Sequence, residues 1–207
     1  MTPLTQLRVV ELLDAFASNE PLPAGGSAAA LAGAIGTSLL LMVATLPKTR
    51  TGAARETASL AAAAVRLRPL RDELIALVQR DTDSYSALLT AIRGPQTSEE
   101  ERAKRQEEVV AATYHATEVP LETIRAAASA LHATTDVARN GSRAASGDVA
   151  AAIELLLGAV RAACHSVDSN LAALKDSEYV TRLRAERQHL EGESLSDAEQ
   201  AREALLV

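Results

Sequence analysis

The chain has 207 residues, a formal charge of −6 and one cysteine, and 2% of its residues are aromatic. This length is enough for a hydrophobic core, and the scarcity of aromatic residues means that Ala, Leu and Val must fill it, as in close-packed helices. The negative charge argues against nucleic acid as the main partner. The single cysteine excludes an internal disulfide, and the N-terminus shows no secretory signal, so we expect a cytoplasmic protein.

Residues 4 to 18 predict an amphipathic helix, because apolar side chains recur there at helical spacing. They are Leu4, Leu7, Val10, Leu12 or Leu13, and Phe16. The prolines and glycines of segment 21–26 then predict a turn. Ser27 follows the turn and is placed to cap the next helix through its side-chain oxygen.

Residues 27–46 form the most apolar stretch, with no charge before Lys48. The stretch is just long enough to span a membrane, and it is equally typical of a helix buried at the centre of a bundle. Its scattered polar residues, the lack of interfacial aromatics and the ionic remainder of the chain favour the buried helix, without a membrane. Gly33 and Gly36 lie on one face, where another helix can approach closely. We therefore expect an all-α, up-and-down multi-helix bundle around residues 27–46, as one domain over residues 1–207.

A basic loop, Lys48-Thr-Arg-Thr-Gly52, follows the apolar helix. Two interpretations are open for it. It is either a solvated surface loop, or a clamp in which Lys48 and Arg50 bind an anionic ligand.

From Ala53 to Ile92 the pattern is helical, and Pro69 predicts a kink or a break. An inward stripe at steps of three and four contains Leu67, Leu70, Leu74, Leu77, Asp81, Ser84 and Leu88. Asp81 thus stands where the pattern requires an apolar residue. A buried carboxylate needs a partner, a raised pKa or an open pocket, so Asp81 is either a satisfied structural acid or a functional one.

Ser98 or Thr97, with Glu101 or Glu100, predicts the capped start of the next helix, and Pro120 predicts a bend in it. A further helix follows segment 140–148. Its inward stripe includes Asn170, which is either part of a site or a core amide bonded to a neighbouring backbone. Asp148 lies near the start of this helix, where an acid is favourable in any case. Residues 176–206 predict one or two charged surface helices.

Several kinds of site are absent from the sequence. The four histidines and Cys164 lack the spacing of metal ligands, and the glycine turn lacks the lysine of a phosphate-binding loop. What remains is a glycine turn leading into a helix, a basic loop, and inward-facing polar residues. These features indicate a small-molecule site between helices that uses acid–base chemistry or binding alone.

The motifs together resemble the cyclodeaminase/cyclohydrolase family of folate enzymes. The segments that carry the resemblance stand in order along the chain: Pro-Ala-Gly-Gly-Ser at 23–27, Asp81 within 78–85, Glu-Val-Pro-Leu-Glu at 118–122, Gly-Asp-Val-Ala at 147–150 and Asn-Leu at 170–171. The segment 46–52 is most similar to the cyclohydrolase branch. Ala24, Gln96 and Asp168 depart from the family pattern. The family has a positively charged residue where Gln96 and Asp168 stand, so this chain has less positive charge near the cleft.

The resemblance implies an all-helical homodimer without metal or cofactor, with a tetrahydrofolate derivative as the substrate. Under it we expect hydrolysis of 5,10-methenyltetrahydrofolate to 10-formyltetrahydrofolate. The alternatives are a formiminotetrahydrofolate cyclodeaminase that releases ammonia, and a non-catalytic folate-binding or interaction module. The resemblance implies that Asp81 is the general base. It implies that the backbone N–H groups of Gly25, Gly26 and Ser27 bind a polar part of the folate, and that Lys48 and Arg50 bind its glutamate tail. Further binding residues under the resemblance are Ser84, Asp148 and Asn170.

Overall fold

The protein is described by a computed structural model covering residues 2–206. Six α-helices make up most of it: α1 Val9–Phe16, α2 Gly25–Thr45, α3 Ala54–Ile92, α4 Glu99–Asn140, α5 Ser146–Leu171 and α6 Ser177–Leu206. Two 3-10 turns, Leu4–Gln6 and Arg143–Ala145, precede α1 and α5. Across residues 2–206 the only β-type pairing is an isolated bridge between Thr49 and Gly141. The expected all-α class is confirmed.

Helix α2 packs against α3, α4 and α5. By length and composition it could cross a membrane, with a mean hydropathy of 1.9, but half of that apolar window is buried within the fold. A core helix of a soluble protein passes the same test. Not all of α2 is covered, since Ile35 and Met42 are 46% and 42% exposed. The helix is therefore central but has one open face.

Two glycines let the neighbours of α2 approach closely. A Cβ atom at Gly36 would lie 2.9 Å from Leu156 Cγ and 3.1 Å from the Ala152 carbonyl oxygen, both on α5. A Cβ at Gly33 would lie 3.0 Å from Leu74 on α3. The close approach expected at these glycines is confirmed.

Helices α3 and α4 are continuous through their prolines. Pro69 therefore does not break α3, because packing along the rest of its length outweighs one missing hydrogen bond. The predicted start of α4 is confirmed: Ser98 accepts a hydrogen bond from the Glu101 N–H, and the Glu101 side chain accepts one from the Ser98 N–H.

The N-terminal prediction needs correction. Residues 4–18 do not form one helix, because Leu7 is extended and separates the first 3-10 turn from α1. The interruption changes the helical register. Of the two alternatives Leu12 and Leu13, Leu12 is buried and Leu13 is 58% exposed. Val10, which was predicted to lie on the apolar face, is 67% exposed.

The C-terminal segment is one helix rather than two. Helix α6 packs on α4 and α5 and buries an inner stripe that includes Val180, Leu183, Ala198 and Ala201. An ion pair between Arg125 of α4 and Glu186 of α6, 2.7 Å apart, holds its middle.

Glu56 organises the basic loop after α2. Its carboxylate accepts hydrogen bonds from the Thr49 hydroxyl at 2.6 Å, the Thr51 hydroxyl at 2.7 Å and the backbone N–H groups of Thr51 and Gly52. These donors, chiefly the Thr49 hydroxyl, lower the pKa of Glu56 to about 2. Gly52 has a φ of +84°, a conformation that favours glycine, and it allows the loop to turn back toward Glu56.

We predict that Glu56→Gln lowers the melting temperature at pH 7, because an amide cannot satisfy four donors as a carboxylate does. Since the folded-state pKa is depressed, this stabilisation is present above the unfolded pKa, about 4.3, and is lost as the pH falls toward 2. Thermal unfolding between pH 7 and pH 2.5 measures it. Glu107→Gln, at an exposed position on α4, is the control and is expected to change little. A difference from wild type that stayed constant down to pH 2.5 would contradict this account of Glu56.

Candidate active site

A cavity of about 450 Å³ opens at the N-terminal end of α2. Helices α2, α3, α4 and α5 all contribute to its wall. The lining residues are Ala24, Gly25, Gly26, Asp81, Ser84, Tyr85, Ala116, Ala162, His165, Ser166, Ser169 and Asn170. The glycine turn, the Asp81 helix and the Asn170 helix, which are far apart in the sequence, thus meet in one place.

Asp81 lies on the inward stripe of α3, with 8% of its surface exposed. Ser27 donates its hydroxyl to Asp81 Oδ2 over 2.8 Å, and its backbone N–H also bonds this carboxylate. The Ser27 hydroxyl oxygen lies 2.9 Å from the Thr82 hydroxyl, which can donate to it. Asp81 is therefore held in a fixed orientation at the cavity wall.

Ser27 does not have the expected capping role. Helix α2 begins at Gly25 with Ala24 as its N-cap, and no side chain caps it. Ser27 lies inside the first turn, where its N–H is still free of helical hydrogen bonds and can bond Asp81 instead. Ala24 has φ −123° and ψ −169°, which any residue adopts, so its replacement of a signature glycine does not strain the turn.

Burial raises the pKa of Asp81 above its ordinary value, and the two hydrogen bonds from Ser27 partly oppose that shift. Desolvation disfavours the charged carboxylate, whereas donors directed at it favour that form. The result is a carboxylate that is more basic than an exposed one. Such a group is suited to accept a proton from a ligand or from water.

Gly26 provides the space that the Asp81 carboxylate occupies. A Cβ atom at position 26 would overlap both carboxylate oxygens of Asp81. A Cβ at Gly25, by contrast, would meet nothing within 4 Å. The two glycines of the turn therefore have different functions, and only Gly26 is required by close packing.

Ser84 and Asn170 line the cavity but also bond the backbone. Ser84 donates to the Asp81 carbonyl oxygen over 2.9 Å within α3. Asn170 donates to the Ala116 carbonyl oxygen over 2.7 Å. That carbonyl lacks its helical partner because Pro120 has no N–H. Asn170 thus bonds the backbone of a neighbouring helix, which is the structural role that the sequence left open. It also lines the cavity.

Four polar lining residues were not identified from the sequence: Tyr85, His165, Ser166 and Ser169. His165, Ser166, Ser169 and Asn170 are related by steps of three and four residues, so they lie along the cavity side of α5. Helical spacing from Asn170 was the available signal. His165 and Ser169 are exposed.

Lys48, Arg50 and Asp148 lie at the other end of the bundle. Lys48 and Arg50 follow the C-terminus of α2, about 30 Å along the helix from Gly25. Asp148 is in the first turn of α5, while Asn170 is in the last. The Arg50 guanidinium donates to the Ala138 carbonyl oxygen over 2.5 Å, near the C-terminus of α4. Within one chain these three residues are not brought together with Asp81.

The positive charge lost at Asp168 does not leave an unpaired acid. Asp168 lies 3.0 Å from Arg187 of α6, and Arg187 also pairs with Glu191. None of these residues lines the cavity. Among residues 2–206 no group of three or more His, Cys, Asp or Glu side chains is arranged to hold a metal ion.

We predict that Gly26→Ala displaces the Asp81 carboxylate and breaks its hydrogen bond with Ser27. Overpacking of this kind costs about 1–3 kcal/mol, so the melting temperature should fall by roughly 2–10 °C. Gly25→Ala, next to it in the same turn, should leave the melting temperature within about 2 °C of wild type, because its Cβ meets nothing within 4 Å. Equal effects of the two substitutions would show that Gly26 does not make room for Asp81.

We predict that Asp81→Asn raises the melting temperature at pH 7. The pKa of Asp81 is higher in the folded protein than in the unfolded chain, so ionising Asp81 destabilises the fold. This destabilisation is absent below the unfolded pKa, about 3.9, and is fully present once the pH exceeds the folded pKa. The gain should therefore shrink as the pH is lowered from the folded pKa toward about 3.9, and be absent below that pH. Thermal unfolding of both proteins across this range measures the difference, and destabilisation at pH 7 would indicate that Asp81 is a structural ion.

Comparison with known proteins covers most of the chain. The family model described as formiminotransferase-cyclodeaminase matches residues 8–189. A methenyltetrahydrofolate cyclohydrolase from Methylorubrum extorquens (strain AM1) is 29% identical over 167 residues, which are 81% of this chain and 80% of that protein. The crystal structure of formiminotetrahydrofolate cyclodeaminase from Thermotoga maritima superposes with a TM-score of 0.86, over 97% of this chain and 96% of that one. At 21% identity, the superposition shows a shared fold.

The matched range contains every segment that builds the cavity, from the glycine turn before α2 to the end of α5. The resemblance seen in the sequence motifs is thus confirmed over the greater part of the molecule. The chain belongs to the formiminotransferase-cyclodeaminase family.

Proposed function

We propose that this protein hydrolyses 5,10-methenyltetrahydrofolate to 10-formyltetrahydrofolate, with Asp81 as the general base. The observation that carries the proposal is the buried Asp81 carboxylate, held by Ser27 at the wall of an open cavity. The methenyltetrahydrofolate cyclohydrolase of Methylorubrum extorquens supports the choice of reaction. A dimeric cytoplasmic enzyme acting on a tetrahydrofolate derivative is part of the proposal.

The substrate has a cationic amidinium, N5–CH–N10, and this explains the need for a carboxylate. Asp81 beside the bridge stabilises its positive charge. A water molecule adds to the bridging carbon while Asp81 takes one of its protons, and the carbon–N5 bond then breaks. The products are the N10-formyl compound with a free N5–H, and one proton released to solvent. The raised pKa of Asp81 makes it a stronger base for this step than an exposed carboxylate.

Other lining groups have positioning roles in the proposal. Ser27 fixes the orientation of the Asp81 carboxylate through its hydrogen bond to Oδ2. The N–H groups of Gly25 and Gly26, at the N-terminus of α2, suit a polar or anionic part of the folate. Ser84 and Asn170 contribute polar surface to the wall. His165 is exposed at the same cavity and adds a polar ring to its wall.

We predict that Asp81→Asn lowers kcat for methenyltetrahydrofolate hydrolysis by about 10²–10⁴-fold, which is the usual worth of a general base. Loss of substrate absorbance near neutral pH measures the rate, with buffer alone correcting for spontaneous hydrolysis. Asp83→Asn is the matched control, two residues away on α3 and exposed, and should retain wild-type activity.

Near-wild-type turnover by Asp81→Asn would contradict the assignment of the base. If the wild-type protein gave no acceleration over buffer, the cyclohydrolase proposal would fail. Ammonia release from formiminotetrahydrofolate would then identify a cyclodeaminase. Folate binding without either reaction would identify a binding module.

A further inference from the structure

Thr82 follows Asp81 directly on α3 but does not line the Asp81 cavity. It lines a second cavity, of about 920 Å³, between α3 and the segment before α2, together with residues such as Leu4, Leu22 and Gln79. Thr82 therefore lies on the far side of Asp81 from a ligand in the first cavity. Any effect of Thr82 on that ligand must pass through another residue.

The Thr82 hydroxyl bonds another helix rather than its own. A threonine inside a helix commonly donates to the carbonyl oxygen four residues earlier. Thr90 on α3 and Thr117 on α4 do so. The Thr82 hydroxyl instead lies 2.9 Å from the hydroxyl of Ser27 on α2. This half-buried side chain thus makes a polar contact between α3 and the first turn of α2.

The direction of this hydrogen bond follows from the single hydrogen that each hydroxyl carries. Ser27 gives its hydrogen to Asp81 Oδ2 over 2.8 Å, so Thr82 must be the donor to Ser27. The Ser27 hydroxyl is fully buried, and it both donates and accepts. The three side chains therefore form a chain of hydrogen bonds that runs from Thr82 through Ser27 to the Asp81 carboxylate.

We propose that Thr82 is a positioning residue for Asp81, because its donation to Ser27 directs the Ser27 hydroxyl at the carboxylate and stabilises the ionised form. Hydrogen bonds in a chain strengthen one another by about 10–30% each. For a hydrogen bond to a charged acceptor, this corresponds to a factor of about 1.3–5 in the acid dissociation constant of Asp81. The chain stands on geometry alone, whereas the use of Asp81 as a base rests on the proposed function.

Ser27 is the neighbour through which the ionisation of Asp81 can be adjusted. Burial raises the pKa of Asp81, and the two hydrogen bonds from Ser27 oppose that shift. The titratable side chains nearby are Tyr85 on α3 and His165 on α5 in the first cavity, and Glu20 and Asp83 in the second. Among residues 2–206, α2 and α4 contribute no titratable side chain to either cavity.

Titration of the Asp81 carboxyl by carbon-13 NMR tests the chain without reference to activity. Thr82→Val keeps the shape of the side chain and removes the hydroxyl, so the acid dissociation constant of Asp81 should fall by about 1.3- to 5-fold. Thr82→Ser keeps the hydroxyl and should match the wild type. Thr90→Val is the matched control on the same helix, since Thr90 donates to the Ser86 carbonyl oxygen, and it should leave the titration unchanged.

A double-mutant cycle shows whether the effect passes through Ser27. Ser27→Ala alone should raise the pKa of Asp81 more than Thr82→Val does, because it removes a direct hydrogen bond to the carboxylate. In the Ser27→Ala protein, Thr82→Val should have no further effect, whereas independent effects would add. An unchanged titration in Thr82→Val, or additive effects in the cycle, would overturn the inference.

The pH dependence of kcat/KM connects the chain to the proposed reaction. In Thr82→Val the acid limb of the profile should move to higher pH by the factor found in the titration, while Thr82→Ser keeps the wild-type profile. An acid limb that did not follow the titration would overturn the positioning role. If the titration changes as expected but the wild-type protein has no turnover, the proposed function fails while the hydrogen-bond chain stands.

Discussion

A carboxylate placed inside a helical bundle is the constraint on which the site depends. Asp81 is nine-tenths buried, and a charge in that position is costly unless donors are directed at it. Ser27 supplies two donors, its hydroxyl and its backbone N–H, and Gly26 supplies the room. The turn of segment 21–26 and the first turn of α2 are therefore organised around Asp81. The same contacts hold a basic oxygen at the edge of a cavity, where it can act on a ligand.

Prolines and glycines within the helices allow close contacts with neighbouring helices. Pro120 releases the carbonyl of Ala116, and Asn170 of α5 binds it, which ties α4 to the end of α5 beside the cavity. Gly36 allows α5 to approach α2 at the middle of the bundle. Each of these residues weakens its own helix slightly and gains a contact between helices. The position of the cavity wall depends on these contacts.

The two ends of helix α2 differ in the charge that lies beside them. Helix α2 carries no charge, so the acid of the cavity and the basic loop are separated by its full length. Glu56 satisfies the donors of that loop, and the Arg50 guanidinium bonds carbonyl oxygens of other helices. Lys48 is the cation there that remains exposed without an ion pair among the residues that the structure describes. A site that needs both a carboxylate and a cation would have to draw on both ends.

Sequence periodicity alone determined the helices, the central place of α2 and the anomalous position of Asp81, because these follow from local spacing of apolar residues. The Ser98–Glu101 capping box was predictable because it depends on two polar residues three positions apart in the sequence. The register of the N-terminal segment was not, since two extended residues, Leu7 and Arg8, shifted it. Tertiary structure alone decided that Ser27 bonds Asp81 rather than capping its helix, that His165 faces the cavity, and that Lys48 lies far from Asp81 in its own chain. Those outcomes depend on which helix ends meet in space, and spacing along the chain carries no information about that.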